Sequence, residues 1–260
     1  MKQGMDWPRY WDRYLPAMRQ REIDSIPEKD RAVVILTTGA IEQHGPHLPV
    51  GVDAFLGQMF LDAALPKLSA DLPVYVAPPI QIGKSNEHDG FPGTLTISHQ
   101  HLRRLVGAAI QQLKEWGFCR IRILNTHGGN IQILRTLLRE YQLEGDLDVA
   151  ILEYAPKIEL GEEEARFGIH AGEFETSLFY AVAPDLTAPD LADCCWIGQL
   201  GDGKVLRPEL APATYAWKTA DISPTGTMGD ARAATEAKGW KWLEEIGAAI
   251  AETLRQTIEG

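Results

Sequence analysis

Strand-like and helix-like segments alternate along the first two thirds of this 260-residue chain. The strand-like segments, rich in Val, Ile and Leu, are residues 32–38, 73–77, 120–124 and 149–152. Each of the first three leads through a polar loop into apolar residues at helical spacing. Such alternation indicates a mainly parallel sheet with right-handed crossovers and helices on both faces. The predicted fold class is α/β, a layered α/β/α sandwich with a mainly parallel sheet.

The other segments complete what we predict to be a single domain, residues 1–260. Residues 7–23 are predicted to form a helical lead-in that is broken at Pro16. Residues 184–226 contain several prolines and scattered glycines, so we expect an irregular lid or interface segment there. A long helix over residues 231–258 is expected to close the chain.

Composition excludes several classes of partner. The formal net charge of −11 argues against binding to nucleic acid or to an anionic membrane. No apolar run approaches the roughly 18 residues of a membrane span, and the N-terminus lacks the apolar core of a secretory signal. Three cysteines cannot form a disulfide framework. We therefore expect a cytoplasmic protein.

The loop that follows the first strand, GAIEQHGPHLPVGVD at residues 39–53, holds four side chains able to bind a divalent metal: Glu42, His44, His47 and Asp53. Ligands of open α/β sheets gather at the carboxyl ends of strands. Glu42 and His44 are two residues apart, so they point the same way in extended chain. The alternative is that Asp53 only caps the next helix, Glu42 is a surface charge and the histidines fill space.

Three further loops carry polar residues of suitable types, and each has a structural alternative. NTHGGN, residues 125–130, is equally typical of a glycine-rich turn with a hydrogen-bonded histidine. In HAGEFETS, residues 170–177, the carboxylates of Glu173 and Glu175 would favour a helix N-terminus on dipole grounds alone. GKSNEHDGFPGT, residues 83–94, offers several polar side chains that are most simply interpreted as turn residues: Ser85, Glu87, His88 and Asp89.

Taken together, the four loops indicate a metal site. A mixture of carboxylates and imidazoles suits Zn²⁺, Mn²⁺ or Fe²⁺ better than Ca²⁺ or Mg²⁺. One carboxylate shared by two ions about 3.5–4 Å apart would give a site that activates water and polarises a carbonyl. His99 and His101 are left out, because residues two apart near a helix start do not share a face.

The same motifs, together with FPGT at residues 91–94, resemble those of the creatininase (creatinine amidohydrolase) family in order and spacing. Residues 225–239 resemble the family's C-terminal stretch, and the resemblance covers about residues 32–239. It implies a layered α/β fold, two metal ions per subunit and a homo-oligomer, often a hexamer. The family includes creatininase, a formamide deformylase, a mycofactocin-precursor peptidase and a hydrolase of keto-inositols.

The resemblance also implies metal-binding roles for individual residues. Glu42 and His127 would hold one ion, His44 the second, and Asp53 would bridge them. Creatininase has Tyr and Glu directly after the histidine that corresponds to His127, and that Glu is a ligand of its second metal. Because this chain has two glycines there, we predict that Glu175 supplies the missing ligand, with Glu173 as the second candidate.

The remaining predicted site residues concern catalysis and substrate. His170 matches the histidine proposed to shuttle protons in creatininase, and Glu173 is the second predicted catalytic residue. Ser85 falls where that enzyme contacts its substrate. Gly128 and Gly129 remove bulk beside the metal ligand, so we expect them to widen the pocket and to expose N–H groups to the substrate.

These expectations define a dinuclear hydrolase of a small polar molecule, in which water activated by metal attacks the carbonyl of a cyclic amide or an N-acyl group. Creatinine itself is not expected to be the substrate. Two alternatives stay open. One is a hydrolase that splits a C–C bond of a cyclic polyhydroxy diketone. The other is a non-catalytic scaffold stabilised by metal.

Overall fold

The computed structural model describes residues 8–196, 206–207, 213–214 and 216–259. Four parallel strands form its main sheet in the order β2-β1-β3-β4. These strands are β1 (Val33–Thr38), β2 (Val74–Val76), β3 (Arg120–Asn125) and β4 (Asp148–Ile151). The predicted α/β class with a parallel sheet is confirmed.

Helices cover both faces of this sheet. The helices are α1 (Gln20–Asp24), α2 (Val52–Ala64), α3 (His99–Glu115), α4 (Ile131–Glu144), α5 (Glu162–Phe167), α6 (Glu173–Val182), α7 (Thr219–Ile222) and α8 (Glu236–Glu259). Val33 and Ile35 of β1 pack in one apolar cluster with residues of α2, α6 and α8. Val34 and Leu36 pack in a second cluster with residues of α3 and α4. Residues 33–36 of β1 are continuously apolar and show no alternation, as expected of a strand that is buried on both faces.

The strand order places a topological switch between β1 and β3. The chain leaves β1 toward β2 on one side and returns to β3 on the other, so the loops after β1 and β3 diverge at adjacent carboxyl ends. Gly39, directly after β1, lies against the start of α2: an added Cβ would come within 2.7 Å of the Asp53 carbonyl oxygen. This close approach brings the first turn of α2 to the end of β1.

The lead-in differs from the predicted helix. Trp11–Arg13 and Leu15–Ala17 are single 3₁₀ turns, and only Gln20–Asp24 is α-helical. Pro16 has no N–H to donate, and the chain becomes extended at Met18 (ψ 145°) before α1 starts. The lead-in is therefore helical only in short separate turns, with its break just after Pro16, and residues 1–7 lie outside the described residues.

The C-terminal helix begins later than predicted. Ala231–Ala233 is a 3₁₀ turn capped by the Asp230 side chain, and Ala234 is extended, so α8 starts only at Glu236. Between residues 184 and 226 the described parts contain only short elements, among them α7 and β5 (Cys194–Cys195), which pairs with β8 (Gly229–Asp230). Two further short strands are β6 (Leu206–Arg207) and β7 (Ala213–Thr214). Residues 197–205, 208–212 and 215 lie outside the described part, and the predicted lid or interface role of this segment stays a prediction.

Membrane spans are absent from the described residues, because no helix there is both long enough and apolar enough to cross a bilayer.

Candidate metal centre

The loop after β1 buries all four of its candidate ligands, His47 included. Glu42, His44 and Asp53 are between 0% and 2% exposed, so Glu42 is not a surface charge. Asp53 lies in the first turn of α2, but the cap position belongs to Gly51, and no side chain makes a capping hydrogen bond there. The helix-cap alternative for Asp53 therefore fails.

Backbone carbonyls fix the orientation of two imidazoles. Nδ1 of His44 lies 3.0 Å from the carbonyl oxygen of Glu42, and Nε2 of His127 lies 2.9 Å from that of Lys84. A carbonyl can only accept, so these ring nitrogens carry the protons. Nε2 of His44 and Nδ1 of His127 are then free to bind a metal, which is the usual arrangement of histidine ligands.

The first candidate group consists of Glu42, Asp53 and His127. Nδ1 of His127 lies 3.0 Å from Oδ2 of Asp53 and 3.3 Å from Oε2 of Glu42. Burial lowers the pKa of His127, but the attraction of the two carboxylates outweighs this and holds the pKa well above its usual range. A proton is therefore strongly favoured at the position that a cation would take.

The second candidate group consists of His44, His170 and Glu175. Nε2 of His44 lies 3.5 Å from Oδ1 of Asp53 and 3.8 Å from Oε1 of Glu175. Burial lowers the pKa of His44, but the same two carboxylates raise it well above the usual value. Asp53 thus presents one oxygen to each group and lies between them.

Several buried polar atoms in these groups have no hydrogen-bond partner: Oε2 of Glu42, Nε2 of His44 and Oδ2 of Asp53. Such atoms are costly to bury unless something binds them. All three belong to side chains that are common ligands of Zn²⁺, Mn²⁺ and Fe²⁺. The residues present therefore fit divalent metal ions.

A stack of three imidazoles borders both groups. The ring of His170 lies 4.2 Å from that of His44 and 4.3 Å from that of His88, measured between centroids. His88 is only 3% exposed, and its Nε2 lies 3.4 Å from Oε1 of Glu42. Its interpretation as a turn residue was incomplete, because the loop after β2 carries it into the site. The available signal was its position in a loop at a strand's carboxyl end.

Glu173 does not join these groups. Its buried carboxylate pairs with Nζ of Lys238 at 2.5 Å. Glu175 faces the other way: its Oε2 accepts the N–H of Ala171 at 2.6 Å, and its Oε1 approaches His44. Residues two apart on a helix do not share a face, so only one of the two could reach the site. This placement argues against the catalytic role predicted for Glu173.

Ser85 and the two glycines occupy different surroundings. Ser85 is fully buried, and its Oγ lies 3.2 Å from Nε2 of His127, so it contacts a candidate ligand. A Cβ on Gly128 would meet nothing within 4 Å, whereas one on Gly129 would lie 2.3 Å from the Lys84 carbonyl oxygen. Gly128 therefore leaves open space, but Gly129 does not, so the expectation that both glycines widen the pocket was wrong for Gly129.

A cavity of about 350 Å³ opens beside His127 and Glu175. Its other walls are mostly apolar or aromatic: Leu56, Phe60, Ile131, Tyr154 and Phe174. Burial raises the pKa of the Tyr154 phenol to about 12. The cavity is therefore lined by metal-capable polar side chains on one side and by mostly apolar side chains on the others.

His47, the fourth candidate of the β1 loop, belongs to none of the metal-capable groups found among the described residues. Its Nε2 lies 2.9 Å from Oγ1 of Thr176, and its Nδ1 has no partner. Burial lowers its pKa to about 4. His47 is therefore a neutral histidine beside the site.

Known proteins resemble this chain over most of its length. A family model described as creatininase, creatinine amidohydrolase, matches residues 16–254. A mycofactocin precursor peptide peptidase of Mycolicibacterium smegmatis is 30% identical over 226 residues, which cover 86% of this chain and 85% of that protein. A creatinine amidohydrolase of Pseudomonas putida is 30% identical over 247 residues, covering 86% and 89%. A solved structure described as creatininase Mn aligns with a TM-score of 0.73 at 24% identity. The alignment covers 95% of this chain and 99% of that one, and it supports the fold alone.

Proposed function

This chain belongs to the creatininase family of hydrolases, and we propose that it hydrolyses an amide C–N bond at a pair of divalent metal ions bridged by Asp53. The observation that carries the proposal is the position of the Asp53 carboxylate. One oxygen lies 3.0 Å from Nδ1 of His127 and the other 3.5 Å from Nε2 of His44. Both nitrogens are unprotonated when their rings are neutral, so both are available to a cation.

Each ion would have its own protein ligands besides the shared carboxylate. Glu42 and His127 would hold one ion, and His44 and Glu175 would hold the other. We propose Zn²⁺, Mn²⁺ or Fe²⁺ from the mixture of imidazole and carboxylate donors. When bound, such a pair supplies an activated water and polarises the substrate carbonyl.

The chain's own groups would complete the reaction. Nε2 of His170 lies 2.7 Å from the Gln43 carbonyl oxygen, so Nδ1 is the bare nitrogen. That nitrogen faces the metal-capable groups and could accept a proton and pass it to the leaving amine. Gly128 lines the cavity at the start of a 3₁₀ turn, and its N–H could bind the developing oxyanion.

The cavity walls favour an amide that carries an apolar or aromatic group beside its carbonyl. Phe60, Tyr154 and Phe174 line the space next to His127, and a ring placed there would bury its apolar surface against them. A short peptide meets this description, as does an N-acylated small molecule. A polyhydroxy ring would leave its hydroxyls without partners on these walls, so the C–C bond hydrolase is the less favoured candidate.

The test compares related substrates on enzyme loaded with Zn²⁺ or Mn²⁺. Dipeptide amides with Phe or Tyr at the residue whose carbonyl is attacked should exceed the Gly analogue in kcat/KM by at least roughly 10–200-fold, the usual worth of a single methylene in an apolar pocket. Creatinine should be a negligible substrate. A creatinine kcat/KM within the ordinary enzyme range of about 10⁴–10⁸ M⁻¹s⁻¹, or cleavage only of a cyclic diketone, would contradict the proposal.

A matched pair of variants locates the preference. Phe60 lines the cavity, whereas Phe55 lies on the same helix and is 39% exposed. Phe60→Leu should reduce the preference for an aromatic side chain, and Phe55→Leu should leave it unchanged. Equal effects of the two variants would place the substrate elsewhere.

We also propose a homo-oligomer of single-domain subunits. Support comes from large apolar side chains that the chain leaves exposed, among them Trp240 (51%), Leu105 (48%) and Trp116 (43%). Sedimentation equilibrium should show an assembly, and a monomer at micromolar concentration would contradict it.

A further inference from the structure

The side chain of Gln43 is buried between the site loops in an orientation that the backbone fixes. Its Oε1 accepts the N–H of Gly45 at 2.9 Å, and its Nε2 donates to the carbonyl oxygen of Gly226 at 3.1 Å. A backbone N–H can only donate and a carbonyl can only accept, so the two ends of the amide cannot be exchanged. The NH₂ end of Gln43 therefore faces the histidine stack.

This orientation determines which nitrogen of His88 carries the proton. Nε2 of Gln43 lies 2.8 Å from Nδ1 of His88 and can only donate, so Nδ1 must accept. The hydroxyl of Thr219, 2.9 Å from the same nitrogen, is able to donate as well. In the neutral ring the proton then lies on Nε2, which is 3.4 Å from Oε1 of Glu42. His88 therefore donates toward a candidate metal ligand.

The ring of His170 faces Glu42 with its unprotonated nitrogen, whereas His88 faces it with a protonated one. Its Nε2 donates to the main-chain carbonyl of Gln43, so its bare Nδ1 lies 3.6 Å from Oε1 of Glu42. The side-chain Nε2 of Gln43 also lies 3.1 Å from this nitrogen, but its two hydrogens are already directed to Gly226 and His88. The shorter contact with the backbone carbonyl therefore decides that Nε2 of His170 carries the proton. One residue thus orients two histidines, one through its amide and one through its carbonyl.

Without this assignment, Glu42, His88 and His170 would look like a third metal site. Their donor atoms lie within 4.8 Å of one another, and all three side chains are buried. A protonated nitrogen cannot bind a metal, however, so His88 can enter such a site only if its proton moves to Nδ1. The amide of Gln43 blocks that move, because Nδ1 would then meet another donor.

We propose that Gln43 is a positioning residue that holds His88 as the Nε2–H tautomer, so that His88 orients Glu42 by a hydrogen bond and stays out of metal coordination. The proposal rests on the metal-binding role proposed for Glu42. The proposal itself, however, concerns which nitrogen of His88 carries the proton, and this can be observed whether or not metal binds.

The experiment records long-range ¹H–¹⁵N NMR correlations of the imidazole nitrogens in chain labelled with ¹⁵N-histidine, zinc-loaded and metal-free. His88→Gln and His170→Gln assign the signals. We expect His88 and His170 both to be Nε2–H in the wild type. In Gln43→Glu, a carboxylate oxygen replaces the donor, so His88 should become Nδ1–H while His170 stays Nε2–H. A wild-type His88 that is Nδ1–H, or a His88 tautomer unchanged in Gln43→Glu, would overturn the proposal.

A second variant covers the case in which Gln43→Glu does not fold. Gln43→Met removes the donor at similar size and should lower zinc affinity roughly 10–100-fold, the usual cost of losing a partner behind a metal ligand. The matched control is Gln58→Met: Gln58 is also buried, but it contacts Tyr10 and Thr37. Equal zinc affinity in Gln43→Met and Gln58→Met would contradict the positioning role. Zinc counts on the wild type test the dinuclear centre separately.

Discussion

An added Cβ on Gly129 would lie 2.4 Å from Oε1 of Glu87. The carboxylate of Glu87 also lies 3.6 Å from Nε2 of His127 and pairs with Lys84 at 3.3 Å. The loop after β2 therefore packs into the space that a side chain at residue 129 would need. A glycine here is a packing requirement.

The two neighbouring glycines should thus respond differently to one added methyl group. Gly129→Ala should push away Lys84 and tilt His127, and so weaken metal binding by about tenfold or more. Gly128→Ala meets open space and should change the free energy of unfolding by less than about 0.5 kcal/mol with metal retained. Chelator competition and thermal unfolding measure both effects. Similar losses in the two variants would show that the packing argument is wrong.

Glu175 and Glu173 provide a second matched pair, because both are near the start of α6 but face different neighbours. Glu175→Gln should lower metal content by about one ion per chain and leave the other, since Glu175 approaches His44 only. Glu173→Gln should keep both ions, because its partner is Lys238. Metal analysis after dialysis distinguishes the two. Loss of an ion in Glu173→Gln alone would reverse these roles.

His170 is expected to act on protons and to leave metal binding unchanged. His170→Ala should keep both ions and lose roughly 10²–10⁴ in kcat, the usual worth of a positioned acid–base group. The bare Nδ1 of His170 also lies within reach of His44 and Glu175, so the structure permits a ligand role too. Metal content decides between the two roles, since loss of an ion in His170→Ala would make His170 a ligand.

His47 should make folding sensitive to mild acid. Its pKa in the fold is about 4, below its ordinary 6.5, chiefly because burial disfavours the charged ring. As the pH falls below about 6.5, the unfolded chain gains a proton that the folded chain does not take up until about 4. The contribution of His47 to the free energy of unfolding is therefore fully present above pH 6.5 and is lost as the pH falls toward 4. It is at most on the order of 3 kcal/mol, at about 1.4 kcal/mol per unit of pKa shift.

Urea unfolding of the metal-free wild type and of metal-free His47→Gln, at pH 7.5 and at pH 5, measures the pH-dependent contribution of His47 to stability. Gln keeps a polar atom for Thr176 but does not titrate in this range. The stability that wild type loses between the two pH values should exceed the loss in His47→Gln. Equal losses in both proteins would show that His47 is not the acid-sensitive group.

Local sequence pattern predicts the parts of this fold that depend on neighbours in the chain. The apolar run of β1 is buried as expected, and so are Leu102, Val106 and Ile110, which lie at helical spacing along one apolar stripe of α3. Leu105 and Trp116 extend the same stripe but lie at its border and remain largely exposed. Hydrophobic spacing identifies the buried face of a helix, but the width of that face depends on the helices and strands packed against it.

Contacts between distant residues set the limits of prediction in the site. Glu173 pairs with Lys238, 65 positions away, and no local pattern distinguishes it from Glu175. Gln43 meets His88 and Gly226, which are 45 and 183 positions away. Glu164 is buried and accepts the N–H groups of Glu173 and Asp230. Such partners are determined by how the loops fold together, so the sequence alone does not reveal them.

The most direct measurement of the central claim is the metal content of Asp53→Ala. Asp53 presents one oxygen to His127 and one to His44, and only a shared ligand serves two ions. We predict about two divalent ions per chain in the wild type and in His47→Gln, which serves as the control. Asp53→Ala should lose both ions under the same conditions. Retention of both ions by Asp53→Ala, with the fold intact by circular dichroism, would contradict a centre bridged by Asp53.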